Sequence, residues 1–348
     1  MEKNNKSLLI TLEYPPIIGG VARYYKNLVD FLGVDKIEVK TDGLLDAGWP
    51  KWLPAIKQTF GLLRQRNFSY LLIGQVLPLG YVGLLAKIFF HQKYIVFTHG
   101  LDIKLPQNNW WKKKWLIRIL KQADKIIANS LFTKKELLKL SIPENKIETI
   151  YPCVNLIPLE KPLVRKNNTI LSVGRLVERK GFDLVLKSLP LILKDKPDIR
   201  YVIVGQGPDE KRLKKIVQDL NLEKQVTFLG LIDDEEKIEW YKKADVFAMP
   251  CRCIKQDIEG FGTVFLEAGN YALPLVVGDS GGARETIING QTGWLINPES
   301  VEDLAEVLKK IFFNPAQAKE MGEEGRRLIE KKFTCSIQWS NFKKIIES

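Results

Sequence analysis

Histidine and cysteine, the side chains most used in zinc sites, are scarce in this sequence, whose 348 residues include two histidines and four cysteines. Cys251 and Cys253 are separated by one residue, which is too close for the usual pair of zinc ligands, and Cys153 and Cys335 are isolated in the sequence. The sequence therefore predicts no zinc site. Cysteines without a disulfide pattern are typical of a reducing compartment, so we expect the protein in the cytoplasm.

Long uninterrupted apolar segments are also missing. The longest candidate, residues 70–90, contains several glycines, a proline, a glutamine and a lysine, which favours a strand, a loop and a helix over a membrane span. Near the N-terminus, the run SLLITL ends at Glu13 and Pro15 and has neither the length nor the cleavage site of a secretory signal. We therefore expect neither a transmembrane helix nor export.

Several motifs of common enzyme classes do not occur. The sequence has no GxxxxGKS/T phosphate loop and no GxSxG nucleophile elbow. It also has no Asp-x-Asp pair, which weighs against a metal-chelating transferase built on one sheet. The segment Gly205-Gln206-Gly207 lacks the third glycine of a dinucleotide fingerprint, so we interpret it as a strand-to-helix turn.

Acidic residues are too few in one half of the chain to balance its basic residues. The net charge is +12, and residues 1–152 contain 23 Lys and Arg against 12 Asp and Glu, whereas the remainder contains 30 against 29. A basic half indicates an anionic partner, which is either a membrane surface or a nucleic acid, or it serves only solubility.

Short apolar runs alternate with helical stretches along the whole chain. The runs are SLLITL, YLLIGQV, YIVFT and KIIANS in the first half and TILSVG, YVIVG, QVTFLG, DVFAMP and LPLVVG in the second. Runs that are apolar on both faces are typical of buried parallel strands, and their alternation with helices indicates βαβ units. At this length, the sequence predicts an α/β protein with two Rossmann-like, doubly wound domains.

A proline-containing segment interrupts this alternation and predicts the domain boundary. We place the N-terminal domain at residues 1–152, a linker at 153–167 and the C-terminal domain at 168–332. The last stretch, residues 333–348, is helical in pattern and long enough to pack on the N-terminal domain.

Two motifs of the second half suit the binding of a diphosphate. In VGRLVERKGFD, Arg175 and Lys180 lie on the loop after the first strand of the domain, and a guanidinium with an ammonium can stabilise a negatively charged leaving group. In EGFGTVFLEA, Glu259 and Glu267 are eight residues apart, and the second lies in an apolar run where an unpaired charge is costly. Between the two glutamates a glycine loop meets a helix start, which favours a phosphate near Phe261, Gly262, Thr263 and Val264.

Two further candidates lie in the first half. Gly19 and Gly20 sit at the turn between the first strand and the first helix, where glycine lets the backbone approach a phosphate. His99 ends a predicted strand, and carboxyl ends of parallel strands are where open α/β sheets bind ligands. A tight turn without a ligand and a structural histidine are the alternatives.

Ten motifs follow one another in the order found in the retaining glycosyltransferases of family 4, and the chain resembles this family over nearly its whole length. The motifs are PPIIGGVARY, FTHGLD, IIANSLFTKKEL, SVGRLVERKGFDLVL, VIVGQGPDEKRL, VTFLG, ADVFAMP, EGFGTVFLEAG, LPLVVGDSGGARETI and TGWLINP. The resemblance implies the GT-B fold, with two facing Rossmann-like domains and a C-terminal helix that crosses back to the N-terminal domain.

The resemblance also implies roles in the binding of a nucleotide-sugar donor. Glu259 and Glu267 match the paired glutamates of the family, and Arg175 and Lys180 match its diphosphate-binding pair. His99 matches the histidine near the donor hexose. Gly20 matches the glycine at the donor phosphates. In such enzymes the acceptor hydroxyl attacks on the leaving-group face and a phosphate oxygen takes its proton, which implies no cofactor and no obligatory metal.

The segment CRCIKQDIEGFGTVFLEA resembles the phosphatidylinositol mannosyltransferase group, so we expect GDP-mannose as the donor and a lipid-linked or glycan acceptor. UDP-glucose, UDP-galactose and UDP-GlcNAc are alternative donors. A GT-B phosphorylase or a sugar epimerase is an alternative activity. A nucleic-acid-binding protein is the alternative from another class, but it leaves the motifs of the second half unexplained, and we expect no nucleic acid as partner.

The segment WWKKKWLIRILK, residues 110–121, predicts an amphipathic helix. At about 100° per residue, Trp111, Trp115 and Ile119 fall on one side and basic residues on the other. Tryptophan with lysine and arginine suits an anionic headgroup layer, so we expect peripheral binding at the cytoplasmic face of the membrane. The alternative is a helix whose apolar side faces the protein core.

Overall fold

A computed structural model gives the fold of the chain and describes residues 6–17, 19–48, 50–158, 165 and 168–347. The chain divides into two compact units, which we call unit 1 and unit 2. Unit 1 comprises Met1–Cys153 together with Cys335–Ser348, and unit 2 comprises Val154–Thr334. The chain therefore passes between the units twice. Much of the predicted linker, residues 159–164 and 166–167, lies outside the described residues.

Unit 1 is a parallel six-stranded sheet with helices on both faces. Its strand order is β2-β1-β3-β4-β5-β6. The strands are β1 (Ser7–Ile10), β2 (Ile37–Lys40), β3 (Leu71–Ile73), β4 (Tyr94–Thr98), β5 (Lys125–Ala128) and β6 (Ile147–Thr149). The helices are α1 (Gly20–Leu32), α2 (Leu53–Gln65), α3 (Gly80–Phe90), α4 (Leu101–Lys104), α5 (Trp110–Gln122), α6 (Leu131–Lys139) and α13 (Cys335–Glu347).

Unit 2 repeats this architecture with the strand order β12-β11-β10-β7-β8-β9. The strands are β7 (Thr169–Val173), β8 (Arg200–Val204), β9 (Val226–Gly230), β10 (Val246–Met249), β11 (Leu275–Gly278) and β12 (Gly293–Ile296). The helices are α7 (Phe182–Leu193), α8 (Glu210–Asp219), α9 (Asp234–Lys243), α10 (Thr263–Asn270), α11 (Val301–Phe313) and α12 (Pro315–Lys332).

The prediction of two doubly wound parallel sheets is confirmed, and the burial of the strands explains why the sequence pattern could show it. All residues of β1, β4, β7 and β10 are buried, as expected for central strands covered on both faces. The central strands Leu71–Ile73 and Tyr94–Ile95–Val96 pair in register in unit 1. No helix in the described part of the chain is both long and apolar enough to cross a membrane.

Helix α13 belongs to unit 1 although it follows unit 2 in the sequence. The fully buried Trp339 lies with its ring 4.8 Å from that of Tyr24 on α1, and Phe342 packs against Phe97 of β4. The backbone amide of Tyr151 donates to the side chain of Gln338 at 2.9 Å. The helix thus completes one face of the unit 1 core.

The two passages between the units lie beside each other. Cys153 and Cys335, which the sequence analysis treats as isolated and reduced, form a disulfide, and this corrects that expectation. The residues are 182 positions apart, but Cys153 is the last residue of unit 1 before the first passage and Cys335 is the first residue of unit 1 after the second, so folding brings them together. On the unit 2 side, the amide of Val154 donates to the carbonyl of Phe333 at 3.1 Å.

We predict that Trp339→Ala lowers the free energy of unfolding by about 3 to 5 kcal/mol, because it leaves a large cavity in the unit 1 core. The matched control is Trp110→Ala, whose side chain is 74% exposed and which we expect to change stability by less than about 0.5 kcal/mol. Urea denaturation followed by circular dichroism measures both. Equal effects of the two substitutions would contradict the packing of α13 described above.

Candidate functional site

The sheet of unit 2 reverses its direction of growth between β7 and β10. From β7 the chain adds β8 and β9 on one side and then returns to place β10 on the other side. At such a point the loops leaving the two strands diverge and open a crevice at the carboxyl edge of the sheet. Lys180 lies on the loop after β7 and Glu259 on the segment after β10, so the fold directs both to this crevice.

Glu259 is held there by two neighbouring cations. One carboxylate oxygen of Glu259 contacts both the Nζ of Lys180 and the Nη1 of Arg179. The Nε of Arg179 also lies 2.9 Å from a carboxylate oxygen of Asp257. Lys180 itself is buried, so its ammonium is removed from bulk water and depends on these partners.

The electrostatics of the crevice favour negative charge. Burial alone would raise the pKa of Glu259, but Lys180 and Arg179 outweigh it and lower that pKa to about 2. Burial would likewise lower the pKa of Arg179, and the carboxylates of Glu259 and Asp257 raise it instead. A site that stabilises a buried carboxylate so strongly can also stabilise the oxygens of a diphosphate.

Helix α10 begins directly after this crevice. Gly262 precedes it with φ near +90°, and a Cβ at this position would lie 2.7 Å from the ring of Phe265. Thr263 and Val264 open the helix, where free backbone amides and the helix dipole favour an anion, and the buried Phe261 anchors the approach. The predicted glycine turn at a helix start is therefore present in the structure.

Glu267 lies one turn further along α10 and is half-buried. Its carboxylate accepts a hydrogen bond from the hydroxyl of Tyr241 at 3.0 Å and lies 3.6 Å from the Nζ of Lys237, both on α9. The ring of Tyr241 is stacked on that of Tyr271 at 5.7 Å. Glu267 is thus fixed by a neighbouring helix, and the sequence prediction that its charge needs a partner is consistent with this position.

The structure brings Lys180 and Glu259 into contact, whereas Arg175 is exposed on the loop after β7. Sequence reasoning missed Arg179, Asp257 and Tyr241, which hold the two glutamates. Arg179 and Asp257 are next to predicted site residues in the sequence, but nothing in their pattern indicates a contact. In the described part of the chain, no group of His, Cys, Asp and Glu side chains is placed to hold a metal ion.

The candidates of the first half lie at the corresponding edge of the unit 1 sheet. Here the reversal falls between β1 and β3. Gly19 and Gly20 are exposed at the start of α1, which follows β1, and Gly74 directly follows β3. His99 follows β4. Each sheet therefore carries its candidate residues at its own carboxyl edge, as expected for open α/β sheets.

A hydrogen-bond network fixes the ring of His99. The hydroxyl of Tyr25 lies 2.5 Å from the carbonyl oxygen of Gly74 and 2.7 Å from the Nε2 of His99. Because a carbonyl cannot donate, the single hydroxyl proton goes to Gly74, and Nε2 must carry the proton of the second hydrogen bond. Burial lowers the pKa of His99 to about 4. The ring is therefore neutral near pH 7, with an unprotonated Nδ1 that can accept a hydrogen bond.

Asp102 holds the backbone of His99 in place. One of its carboxylate oxygens accepts from the backbone amide of His99 at 2.9 Å. Burial raises the pKa of Asp102 to about 7, and the surrounding backbone amides act in the opposite direction. Tyr25 and Asp102 were not identified from the sequence, since their role depends on contacts between α1, α4 and the ends of β3 and β4.

Two family models match the chain and together extend from residue 18 to residue 328. Glycosyltransferase Family 4 matches residues 18–157, and Glycosyl transferases group 1 matches residues 157–328. Each model covers most of one structural unit. The junction between them is close to the boundary between unit 1 and unit 2.

Curated relatives align along nearly the whole chain. The GDP-mannose-dependent monoacylated alpha-(1-6)-phosphatidylinositol monomannoside mannosyltransferase of Corynebacterium glutamicum is 28% identical and covers 100% of this chain and 99% of its own length. A GDP-mannose-dependent alpha-(1-6)-phosphatidylinositol monomannoside mannosyltransferase of Mycolicibacterium smegmatis is 28% identical, with 92% of both chains covered. The crystal structure of Anabaena HepE with UDP and glucose has a TM-score of 0.79 at 18% identity and covers 98% of this chain and 99% of its own.

We predict that His99 is the Nε2-protonated, neutral tautomer from pH 8 down to about 5.5, since burial opposes the charged form and Tyr25 accepts from Nε2. Nitrogen-15 NMR of the imidazoles measures this, and the chain has one other histidine, the exposed His91, as an internal reference. Tyr25→Phe should abolish the preference for one tautomer.

The matched control is Tyr24→Phe. It removes a buried hydroxyl from the neighbouring residue, which donates to the carbonyl of Ile150 at 3.0 Å. We expect it to leave the tautomer of His99 unchanged. An Nδ1-protonated ring in the unaltered protein, or an imidazolium at pH 6, would contradict the network.

Proposed function

Because this chain belongs to glycosyltransferase family 4 and has the GT-B fold, we propose that it is a retaining mannosyltransferase that moves mannose from GDP-mannose to a hydroxyl of a lipid-linked acceptor. The observation that carries the proposal is the convergence of Lys180 and Arg179 on Glu259 between β7 and β10. The preference for this donor and acceptor rests on the two GDP-mannose-dependent mannosyltransferases described above as relatives of the chain.

Residues of unit 2 would bind the donor by charge and by hydrogen bonds. Lys180 and the exposed Arg175 would stabilise the diphosphate as its leaving oxygen gains charge, and the amides that open α10 would add to this. Glu259 would accept hydrogen bonds from sugar hydroxyls. Glu267 would accept from the ribose diol. From unit 1, the resemblance to family 4 assigns Gly20 to the phosphates and His99 to the hexose, and these assignments stay predictions.

The transfer needs no protein nucleophile and no metal under this proposal. The bond between the anomeric carbon and the phosphate oxygen breaks, and the acceptor oxygen bonds to the same carbon on the same face. The hydroxyl proton passes to the leaving diphosphate. Catalysis then depends on positioning and on the stabilisation of negative charge, which Lys180 is placed to provide.

The second candidate donor is a UDP-sugar. The solved structure with the same fold contains UDP and glucose, and related folds often use different nucleotides. The acceptor would then be a glycan or a glycolipid. We expect no nucleic acid as partner, because a nucleic-acid-binding protein leaves the contacts of Lys180 and Arg179 with Glu259 in unit 2 unexplained.

We predict that GDP and GDP-mannose raise the melting temperature of the protein and that UDP and ADP do not, because a ligand that binds only the folded state stabilises it by mass action.

Lys180→Ala should lower kcat for mannose transfer by about 10², with a smaller effect on KM, since charge develops mainly in the transition state. Glu267→Ala should weaken GDP binding by about 1 to 3 kcal/mol.

The control is Lys214→Ala, which removes an exposed lysine from α8 of the same unit and should leave kcat unchanged. Activity should persist in EDTA. Stabilisation by UDP instead of GDP would assign the chain to UDP-sugars. A rise in KM with kcat intact for Lys180→Ala would place that residue in ground-state binding alone. Retention on DNA that vanishes at moderate salt, without any donor turnover, would favour the nucleic-acid alternative.

Binding of the protein to a membrane surface is supported by one face of unit 1. Helices α2, α3 and α5 pack on the same side of the sheet and carry eight Lys and Arg and no Asp or Glu. Large apolar side chains are exposed on the same helices at Leu53, Ile88, Phe89, Trp110 and Trp111. Apolar anchors among these cations, of which Lys87 is paired with Asp124, suit an anionic lipid surface.

The structure changes one detail of the predicted α5. Ile119 is buried in the core together with Leu116 and Leu120, so most of the apolar side of the helix faces the protein. Trp110 and Trp111, in the first turn, are the exposed apolar residues, beside Lys112–Lys114. Interfacial contact would therefore involve the amino end of α5 rather than its full length.

We predict that the protein binds vesicles that contain anionic lipid and is released by salt, because each basic residue near such a surface contributes about 1 kcal/mol. Changing Lys112, Lys113 and Lys114 together to Glu should abolish co-sedimentation with these vesicles. The matched control changes three lysines of α8 in unit 2, Lys211, Lys214 and Lys215, to Glu and should retain binding. Equal binding to neutral and anionic vesicles would contradict the proposed binding to an anionic membrane surface and would favour a soluble acceptor.

A further inference from the structure

The segment that precedes Glu259 is a short hairpin closed by two backbone hydrogen bonds. The amide of Ile254 donates to the carbonyl of Asp257 at 3.0 Å, and the amide of Asp257 donates back at 2.9 Å. Lys255, at the tip, has φ near +59°. A turn of this size has no hydrophobic core, so its position depends on contacts at its two ends.

The first end is fixed by a buried ion pair. The guanidinium of Arg252 donates to both carboxylate oxygens of Asp183, at 2.9 and 3.1 Å, and both residues are buried. The backbone amide of Arg252 donates to the carbonyl of Arg179 at 2.8 Å. This end of the hairpin is therefore tied to the loop that carries Lys180.

The second end is fixed by Arg179. Its Nε lies 2.9 Å from a carboxylate oxygen of Asp257 without the geometry of a hydrogen bond, and its Nη1 contacts Glu259, so one guanidinium forms ion pairs with the hairpin and with the first site glutamate. A lysine has one ammonium and cannot span two carboxylates in this way. The geometry thus gives Arg179 a function that its neighbour Lys180 does not share.

Arg179 changes the balance of charge around Glu259. Arg179 and Lys180 together balance Asp257 and Glu259. Without Arg179, the ammonium of Lys180 would be the one cation in contact with the buried Glu259, which would hold it more tightly. An ammonium held in this way is less able to turn to a diphosphate.

We propose that Arg179 is a positioning residue that holds Glu259 directly, is itself held by Asp257, and thereby leaves Lys180 available to the departing diphosphate. The proposal rests on the function proposed above for Lys180 and extends it to a residue that the sequence motifs do not single out. The titratable and charged groups that interact with Glu259 are Arg179, Lys180 and the thiol of Cys251. Burial raises the pKa of Cys251 to about 12, so this thiol stays neutral and does not compete.

The test compares Arg179→Met with Arg179→Lys, which keeps the charge and loses the fork. We expect Arg179→Met to lower kcat about tenfold or more with a KM change of less than about threefold, because Lys180 acts mainly in the transition state. Arg179→Lys should recover part of kcat. Asp257→Asn should lower kcat less, and the double variant Arg179→Met with Asp257→Asn should be no slower than Arg179→Met alone.

A second readout does not depend on transfer activity. Carbon-13 NMR of labelled glutamate carboxylates, with the Glu259 signal assigned by Glu259→Gln, follows ionisation between pH 4 and pH 7. Glu259 should stay ionised throughout this range in the unaltered protein and should titrate within it in Arg179→Met. The control Arg327→Met removes an arginine that pairs with Glu324 on the surface of α12, and it should change neither readout.

Each result decides the proposal. An unaltered kcat and an unaltered Glu259 titration in Arg179→Met would overturn it, and so would independent, multiplying effects of the Arg179 and Asp257 substitutions. If the unaltered protein transfers no sugar from any donor, the proposed function fails. The titration of Glu259 then still shows whether Arg179 governs this carboxylate.

Discussion

The contact of Lys180 and Arg179 with the carboxylate of Glu259 is the interaction on which the site of unit 2 depends. A carboxylate and an ammonium are costly to bury separately, so the fold must bring the loop after β7 and the segment after β10 together or leave both charges unpaired. The reversal of strand order between β7 and β10 provides the space where this happens. Sheet topology and charge pairing therefore require each other.

The same principle acts differently in unit 1. At its carboxyl edge the network around His99 is built from a tyrosine hydroxyl, a carbonyl and a backbone amide, and burial keeps the imidazole neutral. Unit 2 thus presents ion pairs at its edge, whereas unit 1 presents a neutral imidazole and the carboxyl of Asp102, whose pKa burial raises to about 7.

The fold class could be predicted from the sequence because buried parallel strands leave a local pattern, as the mostly apolar, fully buried β4 does. The positions of Lys180, Glu259 and Glu267 could be located because they lie in motifs with a recognisable order, and their roles in donor binding stay predictions. Arg179, Tyr241 and Tyr25 could not, since each acts through a contact between segments distant in the sequence. The disulfide of Cys153 and Cys335 could not be predicted for the same reason. The spacing of two cysteines in the sequence does not show that the two connections between the units lie side by side.

The distribution of charge separates two kinds of recognition. In unit 2 the cations of the site are paired locally with Glu259, Glu267 and Asp257, so their field is felt over a few ångströms, where a bound diphosphate would lie. In unit 1 the cations of α2, α3 and α5 lack acidic neighbours on their own helices, and their field adds up and reaches about one Debye length, on the order of 8 Å at physiological salt. A field of that range does not position atoms for chemistry, but it can orient a whole domain against a charged surface. The basic excess of the first half and the balanced charge of the second are therefore consistent with one molecule that meets a surface with one unit and a nucleotide with the other.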